Sequence, residues 1–451
     1  MIMAHRMLRS IAVAGVVIAL AACASTAHDD DLRGNHGATE TNARDDQGMD
    51  DHAPDDHAPD DRVEDPDFGD LAHADPGYND HAHDDPAIAA GRLLVGTDAG
   101  TLAVLDARDG GVHAVFAGAL PAGDVRVHVG SSGELAYAVN SEASIVAVVD
   151  SGQILYEHDG HEDLVLGDAG IIGYIDDGFG PSCFTSTFGI VGIYNEESGD
   201  ITVIDERRIR IDFDWVLVPA RVGQGVPVLL RDRLIVGHAE TSFLEIMDYG
   251  GHITQRIEGI DRPNAHARVG RYTVFGSAGG AFVVTQNGSE FSGHLLPSPP
   301  QAAEDARMSR LAAHPVLPYF VGDLGSALVR IDPISMTTEL QPLPAGLVDV
   351  GVDRSGRYIV ALGEDGVVYV IDSESFLMLS SLPAVAGRDP GMDSAIPSLA
   401  LGNRMAYVTD PSDNRILAID LDEGEIALEM HLGLYGTITS IAAMVTDGIV
   451  H

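Results

Sequence analysis

From Gly91 to the C-terminus the chain alternates short apolar runs with Gly- or Asp-containing turns. One pattern recurs: an apolar strand, a turn, a second apolar strand and usually a terminal aspartate. It reads LLVGTDAGTLAVLD over Leu93–Asp106, LAYAVNSEASIVAVVD over Leu135–Asp150 and LIVGHAETSFLEIMD over Leu234–Asp248. It returns at Tyr272–Val284, Tyr319–Asp332, Tyr358–Asp372 and Met405–Asp420, and Ile171–Asp205 reads as the same unit with a long insertion. These eight units lie mostly roughly 36–47 residues apart, the interval of four-stranded propeller blades. The pattern predicts an all-β fold, a β-propeller of about eight four-stranded blades, or seven if the terminal strands share a closing blade. A short helix is expected over Gln301–Ala313.

The first 90 residues follow a different pattern. Arg6 and Arg9 precede an apolar run from Ile11 to Leu20, then Leu20-Ala21-Ala22-Cys23. A charged start, a short apolar core and small residues before a cysteine make a lipoprotein signal over residues 1–22, too short to span a bilayer as a helix. Cys23 is then the lipidation site, and Ala24 after it favours the outer membrane, facing the periplasm. Acylation would leave Cys183 as the last thiol, an apolar core position in a domain without an internal disulfide. Residues 23–88 lack the apolar content to form a core and are expected to be a disordered tether; the propeller takes residues 89–451.

Charge narrows the function. The chain carries a formal −43 and no lysine; residues 24–90 hold 20 acids against 3 arginines, and residues 91–451 hold 49 against 21. Neutralising phosphates requires Lys and Arg, so nucleic acid is excluded as a partner. Adaptation to salt would account for much of the acidity, but not for the histidines set among the acids of the tether. His52 and His57 lie in Asp-Asp-His-Ala-Pro repeats, and His81 and His83 in Asn79-Asp80-His81-Ala82-His83-Asp84-Asp85. Imidazole and carboxylate together suit Zn²⁺; the carboxylates alone would also suit Ca²⁺.

Within the propeller the densest ligand cluster is Tyr156-Glu157-His158-Asp159-Gly160-His161-Glu162-Asp163. His158 and His161, three apart across a glycine, can turn toward one ion, and Asp159 or Asp163 can add a carboxylate. The segment reads as an inter-blade connection near the channel mouth, and His266, in a later connection, is expected to approach the same mouth. A solvated acidic turn with two incidental histidines is the competing reading. His128 and His314 suit packing roles, and His238 falls in a hairpin turn. No nucleophile–base constellation, phosphate loop or CxxC pair is present, so nothing points to catalysis.

The repeat phrases Val321-Gly322-Asp323-Leu324-Gly325-Ser326 and Ala406-Tyr407-Val408-Thr409-Asp410-Pro411, with the two-histidine segment, resemble the AztD-type periplasmic zinc chaperones. That resemblance implies a β-propeller that binds zinc and passes it to the solute-binding protein of a zinc ABC importer. It implies His158, His161 and His266 as ligands, with the histidine- and acid-rich extension in residues 28–85. The chain departs from the family at Arg221-Val222-Gly223-Gln224-Gly225, where a His-His-Gly is expected, and at Arg262-Pro263, where a cysteine is expected. The expected function is a lipid-anchored zinc carrier; the alternative is a non-catalytic scaffold for protein–protein contacts in the envelope.

Overall fold

The computed structural model describes residues 90–158, 161–302, 306–387, 395–446 and 449–450. The eight units seen in the sequence owe their strong signal to position. Seven are the second and third strands of a blade, sandwiched between neighbouring sheets, and runs such as Leu135–Asn140, Tyr358–Gly363 and Met405–Asp410 are buried at every residue. The eighth, Ile171–Asp205, is divided differently, as described below.

The structure is a ring of eight four-stranded antiparallel sheets. Each blade runs from the channel outward in chain order, so the first strand of each lines the central channel. Blade 1 is the exception that closes the ring. Its innermost strand is the C-terminal Ile438–Thr446, which pairs with Ala90–Thr97; Leu102–Asp106 and Val112–Phe116 follow outward. Eight blades, not seven, result. Blade 2 comprises Val125–Val129, Leu135–Asn140, Ile145–Asp150 and Gly170–Ile175. Blade 3 begins at Pro181–Thr187, blade 4 at Gly225–Leu229, blade 5 at Ala265–Val269, blade 6 at Leu311–Ala312, blade 7 at Leu347–Val352 and blade 8 at Leu399–Leu401.

The apolar cores lie between blades. Leu94, Leu102 and Val104 of blade 1 pack on Val125, Ala136 and Ala147 of blade 2, and a like cluster fills the interface of blades 7 and 8. Tyrosines add polar staples. Tyr137 reaches Glu206 at 3.4 Å and Tyr407 reaches the Ala107 carbonyl at 3.3 Å. Tyr319 bonds the Ser373 carbonyl and Tyr358 bonds Asp422 in the same way. Each joins the second strand of one blade, or the residue just before it, to the third-to-fourth turn of the next.

The recurrent terminal aspartate has a local cause. Asp106, Asp150, Asp205, Asp248, Asp332 and Asp420 each accept the amide two residues on, at 2.8–3.1 Å, and Asp372 accepts that of Ser375. This Asx turn starts the connection from third to fourth strand. The recurrent aspartates that mark the units in sequence are therefore structural.

Three expectations change. Ile171–Asp205 is not one unit: Gly170–Ile175 ends blade 2, and Ile190–Asn195 and Asp200–Asp205 are the second and third strands of blade 3. The described part of Gln301–Ala313 is not helical; Leu311–Ala312 is a strand and Met308 packs into the core between blades 5 and 6. Cys183 is fully buried beside Tyr194 and Val226, as an apolar position should be, but it is disulfide-bonded and not a free thiol. Among the described residues no helix is long and apolar enough to cross a membrane. The tether histidines and Cys23 lie outside the described residues.

Candidate metal centre

The histidine segment belongs to blade 2, where a hairpin replaces the turn between third and fourth strands. Gln153–His158 and His161–Leu166 pair antiparallel from Gln153↔Leu166 to His158↔His161. The histidine segment is thus no inter-blade connection, and it rises from the face opposite those connections. Asp150 and Gly152 start it. Gly152 has φ +71°, and a Cβ there would fall 2.5 Å from the Asp168 carbonyl oxygen, so glycine is required.

Register and exposure place the ligand-type residues. Directly opposed positions in antiparallel strands share a face, and alternate positions along each strand share it too. Ile154 and Val165 are opposed and exposed, whereas Leu164 is buried. In that register position 158 is opposed to 161, and 161 and 163 are alternate positions of one strand. Asp159 lies outside the described residues, as do the side chains of His158, His161 and Asp163. The signal that could have found the hairpin is the two-residue Asp159-Gly160 between alternating strands, a sequence that tight hairpins favour.

His266 is elsewhere. It is the second residue of the first strand of blade 5 and faces the central channel, a cavity of about 470 Å³. Its Nε2 lies 3.2 Å from Thr185 Oγ1 of blade 3, and burial lowers its pKa to about 4. His266 therefore stands on a wall three blades around from the root of the hairpin, with Thr185 as its polar neighbour. The same cavity is lined by Asp349, whose carboxyl is pushed up by burial against the pull of Arg310, and by Arg310, which is buried and paired with Asp323 at 2.9 Å. His128 stacks on Phe184 at 4.7 Å; burial, with Arg126 nearby, lowers its pKa to about 4.

His238 ends a strand of blade 4 and is buried, with Nδ1 3.0 Å from the Tyr194 hydroxyl. His314 Nε2 donates to the Arg354 carbonyl at 3.0 Å, a packing role as expected. His252 has a partner that sequence spacing did not suggest, Asp248 at 3.2 Å on the surface. Among the described residues no group of three or more His, Cys, Asp or Glu is close enough to hold a metal ion.

No family model matches the chain. Its fold is that of AztD from Citrobacter koseri: the apo structure aligns with a TM-score of 0.72 at 20% identity, covering 81% of this chain and 100% of that one. A second structure of the same protein aligns at 0.73, again at 20% identity with coverage of 81% and 100%. The dihydro-heme d1 dehydrogenase NirN, in complex with DHE, aligns at 0.54 and 12% identity over 80% of this chain and 76% of that one. At such identities the likeness is one of fold, and the AztD-type propeller is the fold of this chain.

Proposed function

We propose that this protein is a zinc carrier of the cell envelope, anchored by lipid at Cys23, that captures Zn²⁺ and passes it to the solute-binding protein of a zinc ABC importer. What supports the reading is the extra hairpin on an AztD-type propeller, whose register opposes His158 to His161 with Asp163 two positions along the same strand. Two imidazoles and a carboxylate supply three of the four ligands that Zn²⁺ takes, and they leave a position open for exchange with a partner. Asp159 is the second candidate carboxylate, and His266 in the channel is a separate, weaker candidate for a metal ligand.

The start of the propeller beside the hairpin supports the same reading. The propeller begins at Ala90, and Arg92 bonds both stems of the hairpin, so that start and the hairpin meet at their roots. An extended chain spans roughly 3.3–3.6 Å per residue, which lets His83 and His81 range about 30–40 Å from Arg92. The hairpin tip is roughly 20–25 Å from its root by the same geometry. Tether histidines can therefore collect zinc and release it within reach of His158 and His161, raising its local concentration there. His52 and His57 extend the collecting segment, and Ca²⁺ would compete only for its carboxylates.

Two measurements test this. Mass spectrometry of the protein from membranes should show an acylated Cys23. An unmodified N-terminal peptide, or one linked through Cys23 by a disulfide, would refute the anchor. Mixing the zinc-loaded chain with the importer's solute-binding protein, in a chelator that holds free zinc low, should transfer the metal. Transfer no faster than from the chelator itself would refute delivery and leave the scaffold reading, in which partners are retained without metal.

A further inference from the structure

We propose that closure of the propeller ring positions the hairpin, with Arg92 and Gln153 as positioning residues; the metal half of this proposal rests on the zinc reading above. The ring is closed where the N-terminal strand Ala90–Thr97 pairs with the C-terminal strand Ile438–Thr446. In that ladder Arg92 is opposite Met444. Both residues hold the hairpin. The buried Arg92 guanidinium donates through Nη1 to the Ser151 carbonyl and through Nη2 to the Gly167 carbonyl at 2.6 Å. Those carbonyls belong to the two opposite stems, so one rigid planar fork fixes their separation. The Met444 carbonyl accepts from Gln153 Nε2 at 2.6 Å, and Gln153 is buried at the first position of the hairpin.

Further contacts come from the same ends of the chain. Gly167 N donates to the Gly152 carbonyl at 2.7 Å and closes the stems above the fork. The C-terminal Ile449 and Val450 pair in parallel with Asp163 and Leu164, forming a third strand beside the one that carries His161. Arg92 has carboxylates near it, Asp106, Asp168 and Asp150, but it donates to backbone carbonyls at the two stems of the hairpin. A buried arginine aimed at two carbonyls of one insertion is a clamp on that insertion. One rung of the closing ladder therefore sets where the tip stands, and by reciprocity a metal bound at the tip favours the closed ring.

The test uses the full mature chain with ZnCl₂ as the probe. Arg92→Met, which keeps the stem of the side chain and removes every donor, should weaken zinc binding at the hairpin at least tenfold and leave the tether's weak binding unchanged. Gln153→Leu should weaken it about threefold, and Arg92→Lys, able to reach one carbonyl, should fall between parent and Arg92→Met. Tyr319→Phe removes a staple far around the ring and serves as the control. If it lowers zinc affinity as much as Arg92→Met at a matched loss of Tm, the positioning role is refuted. Hydrogen exchange without metal provides an independent arm: amides of 153–158 and 161–166 should exchange at least tenfold faster in Arg92→Met, with blade 5 unchanged. Unchanged hairpin protection overturns the clamp whether or not zinc binds. A parent chain without hairpin-dependent zinc binding refutes the zinc reading and leaves the exchange arm to decide this one. Should Arg92→Met fail to fold, Arg92→Lys and Gln153→Leu carry both arms.

Discussion

Acid should destabilise this propeller through His238, and the structure sets the size of the effect. Tyr194 donates its hydroxyl proton to the Arg221 carbonyl, so at 3.0 Å it accepts from His238 Nδ1–H. That fixes the neutral tautomer and leaves Nε2 as the site of protonation. Nε2 lies 3.8 Å from Glu245, whose carboxylate is already taken by Arg221 at 2.9 Å and Arg256 at 3.0 Å. Burial lowers the pKa of His238 to about 4, with Glu245 acting against it and Arg221 adding to it. The folded pKa lies below the unfolded value, so the stability it confers is present above the unfolded pKa and is lost as pH falls toward the folded one. With an unfolded pKa of about 6.5, linkage gives a loss of about 2 kcal/mol between pH 7 and 5, and about 3 kcal/mol by pH 4. The assay is urea unfolding of the parent and of His238→Gln, which keeps a donor for Tyr194 but does not titrate. The parent should lose about 2 kcal/mol more than the variant between pH 7 and 5. Equal losses would refute the reasoning, since His128 and His266 titrate alike in both proteins.

Three further outcomes are expected. Asp150→Ala removes the acceptor for Gly152 N at 2.8 Å and for Arg210 Nε and Nη2, also at 2.8 Å, and should cost about 1–2 kcal/mol by chemical denaturation. Gly225→Ala would set a Cβ 2.0 Å from the Tyr194 ring, displacing the partner of His238; a loss of about 1–3 kcal/mol or more is expected, read as a lower Tm. Zinc at a hundred times its dissociation constant should stabilise the folded chain by about 2.7 kcal/mol. Thermal scans with and without chelator should show that gain in the parent and not in His158→Ala/His161→Ala.

The sequence revealed most where burial is uniform. Second and third strands such as Leu135–Asn140 and Ile145–Asp150 are covered on both faces, so they read as unbroken apolar runs with a fixed turn aspartate. First and fourth strands gave weaker signals because their surroundings are mixed. Val125–Val129 lines the channel on one side, and Val112–Phe116 is an outer edge with exposed positions. That is why Gly170–Ile175 was joined to the wrong unit. The hairpin was hidden for a related reason: its apolar positions are few, and Glu157–Asp163 between them is made of histidines, acids and one glycine. His158 and His161 were visible as a pair, but their register, and the separation of His266 from them, depend on pairings between distant parts of the chain. Arg92 carried no local signal at all, because its partners are 59 and 75 residues away.

The central claim is that zinc is held at the hairpin. Competition titration of the mature chain against a chromogenic zinc chelator tests it most directly, comparing the parent with His158→Ala/His161→Ala and with His266→Ala. The account predicts one tight site in the parent, lost in the hairpin variant and retained in His266→Ala, with the weak sites of the tether present throughout. A tight site that survives in the hairpin variant, or a parent that shows weak sites alone, would contradict it.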